Sequence, residues 1–204
     1  HEGYDSREEV EQFQQYLAIT EFPDLEYFCA DKLCFKELAM IIEKTGGNIS
    51  AIYIDHFNNV DNADKNTGML IKAIANNCPN IKKLHTFLKP KDFIHVKQLL
   101  LNCRQLEHLR LDGLNFSADE NVNIGDELLD ILTKFSPNSL IDINISENWN
   151  YSIDALEQFF ESCRKRTLNF FGICDDCSRS YITKDHEAIV EKYVKEGVIK
   201  RYKD

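Results

Sequence analysis

The sequence predicts an α/β solenoid, with parallel strands lining a concave face and helices stacked on the convex side. Three observations predict it. The string Leu25-Glu-Tyr-Phe28-Cys-Ala30-Asp-Lys-Leu33-Cys-Phe35 matches Leu106-Glu-His-Leu109-Arg-Leu111-Asp-Gly-Leu114-Asn-Phe116 at five identities and at every apolar position. Its first half, apolar at the first, fourth and sixth residues, recurs at Ile49/Ile52/Ile54, Ile81/Leu84/Thr86, Leu140/Ile143/Ile145 and Leu168/Phe171/Ile173. A segment with apolar residues at helical spacing follows each copy. One strand-helix unit cannot bury its apolar side alone, so units must stack to share a core.

Taken in order, residues 1–24 precede the repeats. Ser6 with Glu9 has the form of a capping box, and Val10, Phe13 and Leu17 follow at helical spacing. This predicts a helix that caps the array or ends a preceding unit. Residues 25–204 form about six repeats, whose starts are separated by 24, 32, 25, 34 and 28 residues. Such unequal spacing places extra residues in connections and leaves the repeating unit intact. Helices are predicted over Phe35–Lys44, Thr67–Asn76, Asp92–Leu101, Asp126–Phe135, Ile153–Cys163 and Lys184–Lys195. Gly46-Gly47 ends the first of these. Thr183 caps the last and Gly197 ends it, leaving Val198-Ile199 to add a short final strand. Cys78, Cys103 and Cys163 fall where a helix turns into the next strand, a corner that a small apolar group fills.

Residues between the apolar positions of each strand point to the opposite, open face. They read down the stack in three columns. One is Tyr53, His85, Arg110, Asn144 and Gly172. A second is Asp55, Phe87, Asp112, Ser146 and Cys174. The third is Ala51, Lys83, His108, Asp142 and Phe170. Aromatic and Arg side chains on an open surface are the types enriched among binding hot spots. Lys83, His85, His108 and Arg110 are expected to form a basic group beside Tyr53 and Phe87, suited to an acidic or phosphorylated peptide segment. The competing reading is that these residues only keep an exposed sheet soluble.

The chain carries 24 Lys and Arg against 34 Asp and Glu, a formal net charge of −10. That charge repels phosphate backbones and anionic lipid at long range, so neither nucleic acid nor membrane is an expected partner. The exception is Ile81 to Arg104, where six basic residues face the single acid Asp92; a solvated face is the default reading of such a run. No apolar run approaches membrane-spanning length, and the polar start lacks a signal-peptide pattern. Seven cysteines, an odd number, in a chain long enough to need no staples point to a reduced, cytoplasmic or nuclear protein. Four Asn-x-Ser tripeptides, at Asn48, Asn115, Asn144 and Asn150, arise easily by chance in an Asn-rich chain.

The strings Asn77-Cys78-Pro79-Asn80-Ile81-Lys82-Lys83-Leu84 and Asn102-Cys103-Arg104-Gln105-Leu106-Glu107-His108-Leu109 resemble the cysteine-containing leucine-rich repeats of F-box proteins. The resemblance covers about residues 25–175 and implies a leucine-rich-repeat horseshoe. It also implies the substrate-recognition repeats of a cullin-type ubiquitin ligase subunit, in which an F-box binds a small adaptor and the repeats hold the target. No F-box is found in this sequence; since the first residue is His1 and not Met, one is expected upstream. Thr86, Ala30, Phe28 and Phe171 depart from the family's regular pattern. The alternative is a free-standing leucine-rich-repeat scaffold with no ligase role.

Neither a cofactor nor catalysis is expected. Cys174-Asp-Asp-Cys177 is the only C-x-x-C, and zinc normally takes four ligands, so Cys163 and His186 would have to join it. A redox role would need a different strand-helix context. No nucleophile elbow or glycine-rich phosphate loop is present.

Overall fold

The computed structural model describes residues 7–30, 33–54, 66–114, 123–174 and 182–202. In chain order its elements are α1 (Arg7–Ile19), β1 (Tyr27–Ala30), α2 (Phe35–Glu43), β2 (Ala51–Ile54), α3 (Thr67–Asn77), β3 (Lys83–Leu88), α4 (Phe93–Asn102), β4 (His108–Gly113), α5 (Gly125–Phe135), β5 (Asp142–Ser146), α6 (Ile153–Ser162), β6 (Phe170–Cys174) and α7 (Lys184–Lys195). Short 3₁₀ turns precede α4 and α6 at Pro90–Asp92 and Glu147–Trp149, and another follows α6 at Cys163–Lys165. Every strand is parallel to its neighbours, and the sheet order is β1-β2-β3-β4-β5-β6, the order of the chain. This is an α/β leucine-rich-repeat-type solenoid, strands on one face and helices on the other.

The register fixes the repeat. Phe28, Ile52, Leu84, Leu109, Ile143 and Phe171 are successive partners across the sheet. From Ile52 to Phe171 none of them is more than 2% exposed. They meet Leu38, Ile42, Leu70, Ile74, Val96, Leu100, Leu128, Leu132 and Phe159 from the helices in one continuous core. Thr86, irregular in sequence, stands beside Leu111 in the same register and is fully buried. Its methyl takes a valine's place, while its hydroxyl finds no hydrogen-bond partner.

The helix-to-strand corners are built alike. Cys78, Cys103 and Cys163 follow α3, α4 and α6, fully buried, as the sequence predicts; Pro137 takes the corresponding place after α5. The Cys103 thiol donates to the Cys78 carbonyl at 3.4 Å. In the second to fifth units the residue just before the first apolar position reaches back to the preceding unit. The Asn48 amide donates to the Pro23 carbonyl (3.1 Å), Asn80 to the Gly47 carbonyl (3.2 Å), Gln105 to the Asn80 side chain (3.2 Å) and the Ser139 hydroxyl to the Arg104 carbonyl (2.9 Å). This polar seam satisfies backbone carbonyls where the chain leaves a helix and the sheet has not yet begun.

The two ends differ. At the start, α1 lies along α2, with Leu17 buried and Gln14 bonded to both Glu37 and Lys36. The capping box expected at Ser6 and Glu9 rests on side chains outside those described. Among the described residues β1 pairs only with β2. At the other end, Thr183 caps α7 together with His186, and Gly197 (φ 75°) breaks the helix. The chain then runs beside β6, bridging Leu168 to Ile199 and Phe171 to Tyr202. The expected final strand is thus a pair of isolated bridges that cover the last edge. Among the described residues, no helix is long and apolar enough to cross a membrane.

Candidate partner-binding face

The open face of the sheet carries the columns that the alternation predicts. Tyr53, His85, Arg110, Asn144 and Gly172 are successive register partners, as are Ala51, Lys83, His108, Asp142 and Phe170. In the second column Phe87 pairs with Asp112 and Ser146 with Cys174. Asp55 and Cys177 lie outside the described residues, as does the Cys174 side chain.

Exposure divides the candidates. Lys83 is exposed; Tyr53, His85, Phe87, His108, Arg110 and Asn144 are half-buried. Asp112 and Ser146, expected on the open surface, are buried at 2% and 0% exposure. Asp112 is covered because the side chains of His85 and Arg110 close over it. His85 Nε2 lies 2.7 Å from its Oδ2, and Arg110 Nε donates to both carboxylate oxygens at 3.0 and 3.1 Å. Ser146 is drawn inward because β5 passes straight into the 3₁₀ turn, and its hydroxyl accepts from the Asn148 N–H at 3.3 Å.

The expected basic group is therefore a mixed one. His85 and Arg110 share Asp112, and His108 Nδ1 sits 2.7 Å from Asp142 Oδ2. Burial by itself raises the Asp112 carboxyl, and the hydrogen bonds from His85 and Arg110 more than reverse that, holding it below the ordinary carboxylate value. Lys83 makes no ion pair among the described residues. His108 and Asp142 face each other on neighbouring strands, about 5 Å apart at the backbone as such partners are, whereas His85 reaches Asp112 diagonally across the β3–β4 pair and Arg110 reaches it along β4. Alternation assigned the faces but not the pairing.

Aromatic groups flank the charged centre. Tyr27 and Tyr53 rings lie 5.5 Å apart at the β1 side, and His85 lies 6.2 Å from Phe87. Tyr27 is well exposed, and sequence reasoning passed over it although it occupies the column position of Ala51 and Lys83. Toward β6 the Phe170 ring lies over Gly172. A Cβ there would meet Phe170 at 2.9 Å and Asn144 Oδ1 at 3.0 Å, so the column admits no larger residue without displacing Phe170 or Asn144.

The corner cysteines Cys78, Cys103 and Cys163 are part of the packing. Burial pushes the Cys78 and Cys103 thiols up to about 12, and raises Cys163 as well. Thiolates are thus scarce at neutral pH. Mass mapping after brief treatment with a thiol reagent is expected to find Cys29 modified, and Cys78, Cys103 and Cys163 untouched until the protein unfolds. Labelling of Cys103 as fast as Cys29 would contradict the packed corner. His186 is committed elsewhere: Nδ1 lies 2.8 Å from the Thr183 hydroxyl and Nε2 lies 2.7 Å from the Tyr151 carbonyl. Among the described residues, no three His, Cys, Asp or Glu side chains gather as a metal site.

No protein-family model matches the chain, and no curated protein matches it. Among solved structures it is similar to the leucine-rich repeat-containing protein LegL7 from Legionella pneumophila, 14% identical, over 91% of this chain and 74% of that one, with a TM-score of 0.36.

Proposed function

We propose that this chain is a protein-interaction module that holds its partner on the open face of the sheet, and not an enzyme. One observation carries the reading. Tyr53, Lys83, His85, Phe87, His108 and Arg110 come from three adjacent strands and share one half-exposed surface. The partner is a peptide segment bearing one or two acidic or phosphorylated groups next to apolar ones. Asp112 fixes the Arg110 guanidinium before any partner arrives, which lowers the ordering cost of binding. Lys83 adds a point charge one strand away, and Tyr53 and Phe87 supply apolar contact. Because Asp112 and Asp142 partly neutralise the centre, a long uniform polyacid is a poorer fit than a single well-placed anion.

An array of acidic and phosphorylated peptides tests this surface. Lys83→Glu is expected to cut retention of the best ligands about tenfold, equivalent to about 1.4 kcal/mol, and Tyr53→Ala by a similar factor. Lys83 is the cleaner position for charge reversal, since Arg110→Glu would set a second carboxylate against Asp112. Equal retention by wild type and Lys83→Glu would remove the anionic-partner reading.

The finer reading is a substrate receptor of a cullin-type ubiquitin ligase, working in a reducing cytoplasmic or nuclear compartment. The corner cysteines, which stand in the strings that resemble F-box repeats, support it; so do the unpaired thiols of Cys29, Cys34, Cys78, Cys103 and Cys163. Co-purification of a cullin adaptor with the full-length protein is the expected result. Target capture without any adaptor would favour the free-standing scaffold instead.

A further inference from the structure

The convex side holds a surface that the proposed function does not use. α3 and α4 contain no Asp or Glu, whereas each of the other helices carries at least two acids in a chain of net charge −10. The same two helices expose large apolar side chains: Met69 at 46%, Ile94 at 57% and Leu101 at 47%. Met69 and Ile94 are equivalent positions, 25 residues apart like the register partners Leu84 and Leu109, so they lie side by side on neighbouring helices. Leu101 is two turns beyond Ile94 on the same helix face. The Gln98 amide donates to Asn76 Oδ1 at 2.7 Å and holds the two helices together between these residues. Lys72, Lys91 and Arg104 are exposed around them. Asp92, which ends the 3₁₀ turn before α4, is bound by the Thr67 hydroxyl.

The remaining exposed large apolar side chains among the described residues are Tyr27 and three on α1: Phe13 at 37%, Tyr16 at 59% and Ile19 at 82%. α1 has the opposite charge character, with Glu8, Glu9 and Glu11 in its sequence. An acidic helix with an apolar flank and an acid-free helix pair with an apolar centre therefore stand on one chain.

We infer that a second copy of this chain is the occupant, with α1 of one protomer seated on α3 and α4 of the next. Such a contact is heterologous, joining two different surfaces. It belongs with the small, transient class of interfaces, below about 1,200 Å², so association is expected in the micromolar to millimolar range.

Sedimentation velocity of the 204-residue chain tests it. The wild type is expected to sediment faster as concentration rises. Tyr16→Glu and Ile94→Glu alter exposed residues and leave the core alone, and circular dichroism checks that each folds. Each variant alone is expected to need at least about tenfold more protein to associate. Mixed in equal amounts they are expected to form dimers and nothing larger, since Ile94→Glu keeps an intact α1 and Tyr16→Glu keeps an intact α3–α4 surface. Three results would each overturn the proposal: concentration-independent sedimentation of the wild type, a single variant that associates like the wild type, or a mixture that stays monomeric.

Discussion

Phe171→Ala is expected to lower the unfolding free energy by about 3–5 kcal/mol, the range for removing a large aromatic side chain from a packed core. Phe171 is fully buried, with ring centroids of Phe160 at 4.8 Å, Phe159 at 5.8 Å and Tyr202 at 6.5 Å. Its backbone N–H also donates to the Arg201 carbonyl at 3.0 Å, so the same residue fastens the closing segment to the sheet. The neighbouring Phe170 points to the open face and is half-buried; Phe170→Ala is expected to cost only about 1 kcal/mol. In a stacked array, losing one terminal interface uncouples the end unit from the rest. Hydrogen exchange of α7 is therefore expected to accelerate in Phe171→Ala under conditions where the fluorescence of Trp149, buried against Phe93 in the middle of the stack, is unchanged. Equal urea midpoints for the two variants would show that register does not decide which phenylalanine matters.

The second large effect is expected at Asp112. Asp112→Asn keeps the shape but removes the charge that His85 and Arg110 share, and is expected to cost about 1–3 kcal/mol at neutral pH. The cost has a definite pH dependence. The carboxyl of Asp112 lies below its ordinary value in the folded protein, so below about pH 4 the unfolded chain binds the proton first. Its contribution is complete above the unfolded value and disappears as pH falls through the depressed folded value. The stability gap between wild type and Asp112→Asn is expected to be constant from neutrality to about pH 5 and to close below that. Urea titrations at several pH values read this directly; a gap that persists undiminished in acid would mean that the charge is not what stabilises the cluster.

The ladder was legible because burial along a strand follows a fixed period. The positions from Ile52 to Phe171 announce themselves, and the predicted helix bounds differ from the observed ones by at most one residue at either end. Thr86 looked irregular only because sequence shows a hydroxyl where packing uses a methyl. The open face was legible as columns for the same reason, but what fills each column was not. The expectation of exposed Asp112 and Ser146 failed because alternation says which way a side chain leaves the strand, not what later folds over it. His85 and Arg110 close over the first, and the 3₁₀ turn at Glu147–Trp149 draws in the second. The seam of Asn48, Asn80, Gln105 and Ser139 went unread although it has a simple signal: a short polar residue immediately before each unit's first apolar position. Polar groups at helix ends resemble ordinary loop composition until the carbonyls they serve can be seen.

That seam has a consequence for how such a chain can change. The stretches from helix to strand, residues 44–50, 78–82, 103–107, 136–141 and 163–169, are nearly constant in length. The stretches from strand to helix, residues 55–66, 89–92, 114–124, 147–152 and 175–183, vary more than twofold. One rim is stitched shut by bonds that demand a set reach, and the other tolerates inserted sequence without disturbing a single rung. New recognition can be grafted onto the tolerant rim while the stitched one keeps the stack in step, so inheritance of the scaffold and invention of its specificity proceed on opposite borders of the same sheet.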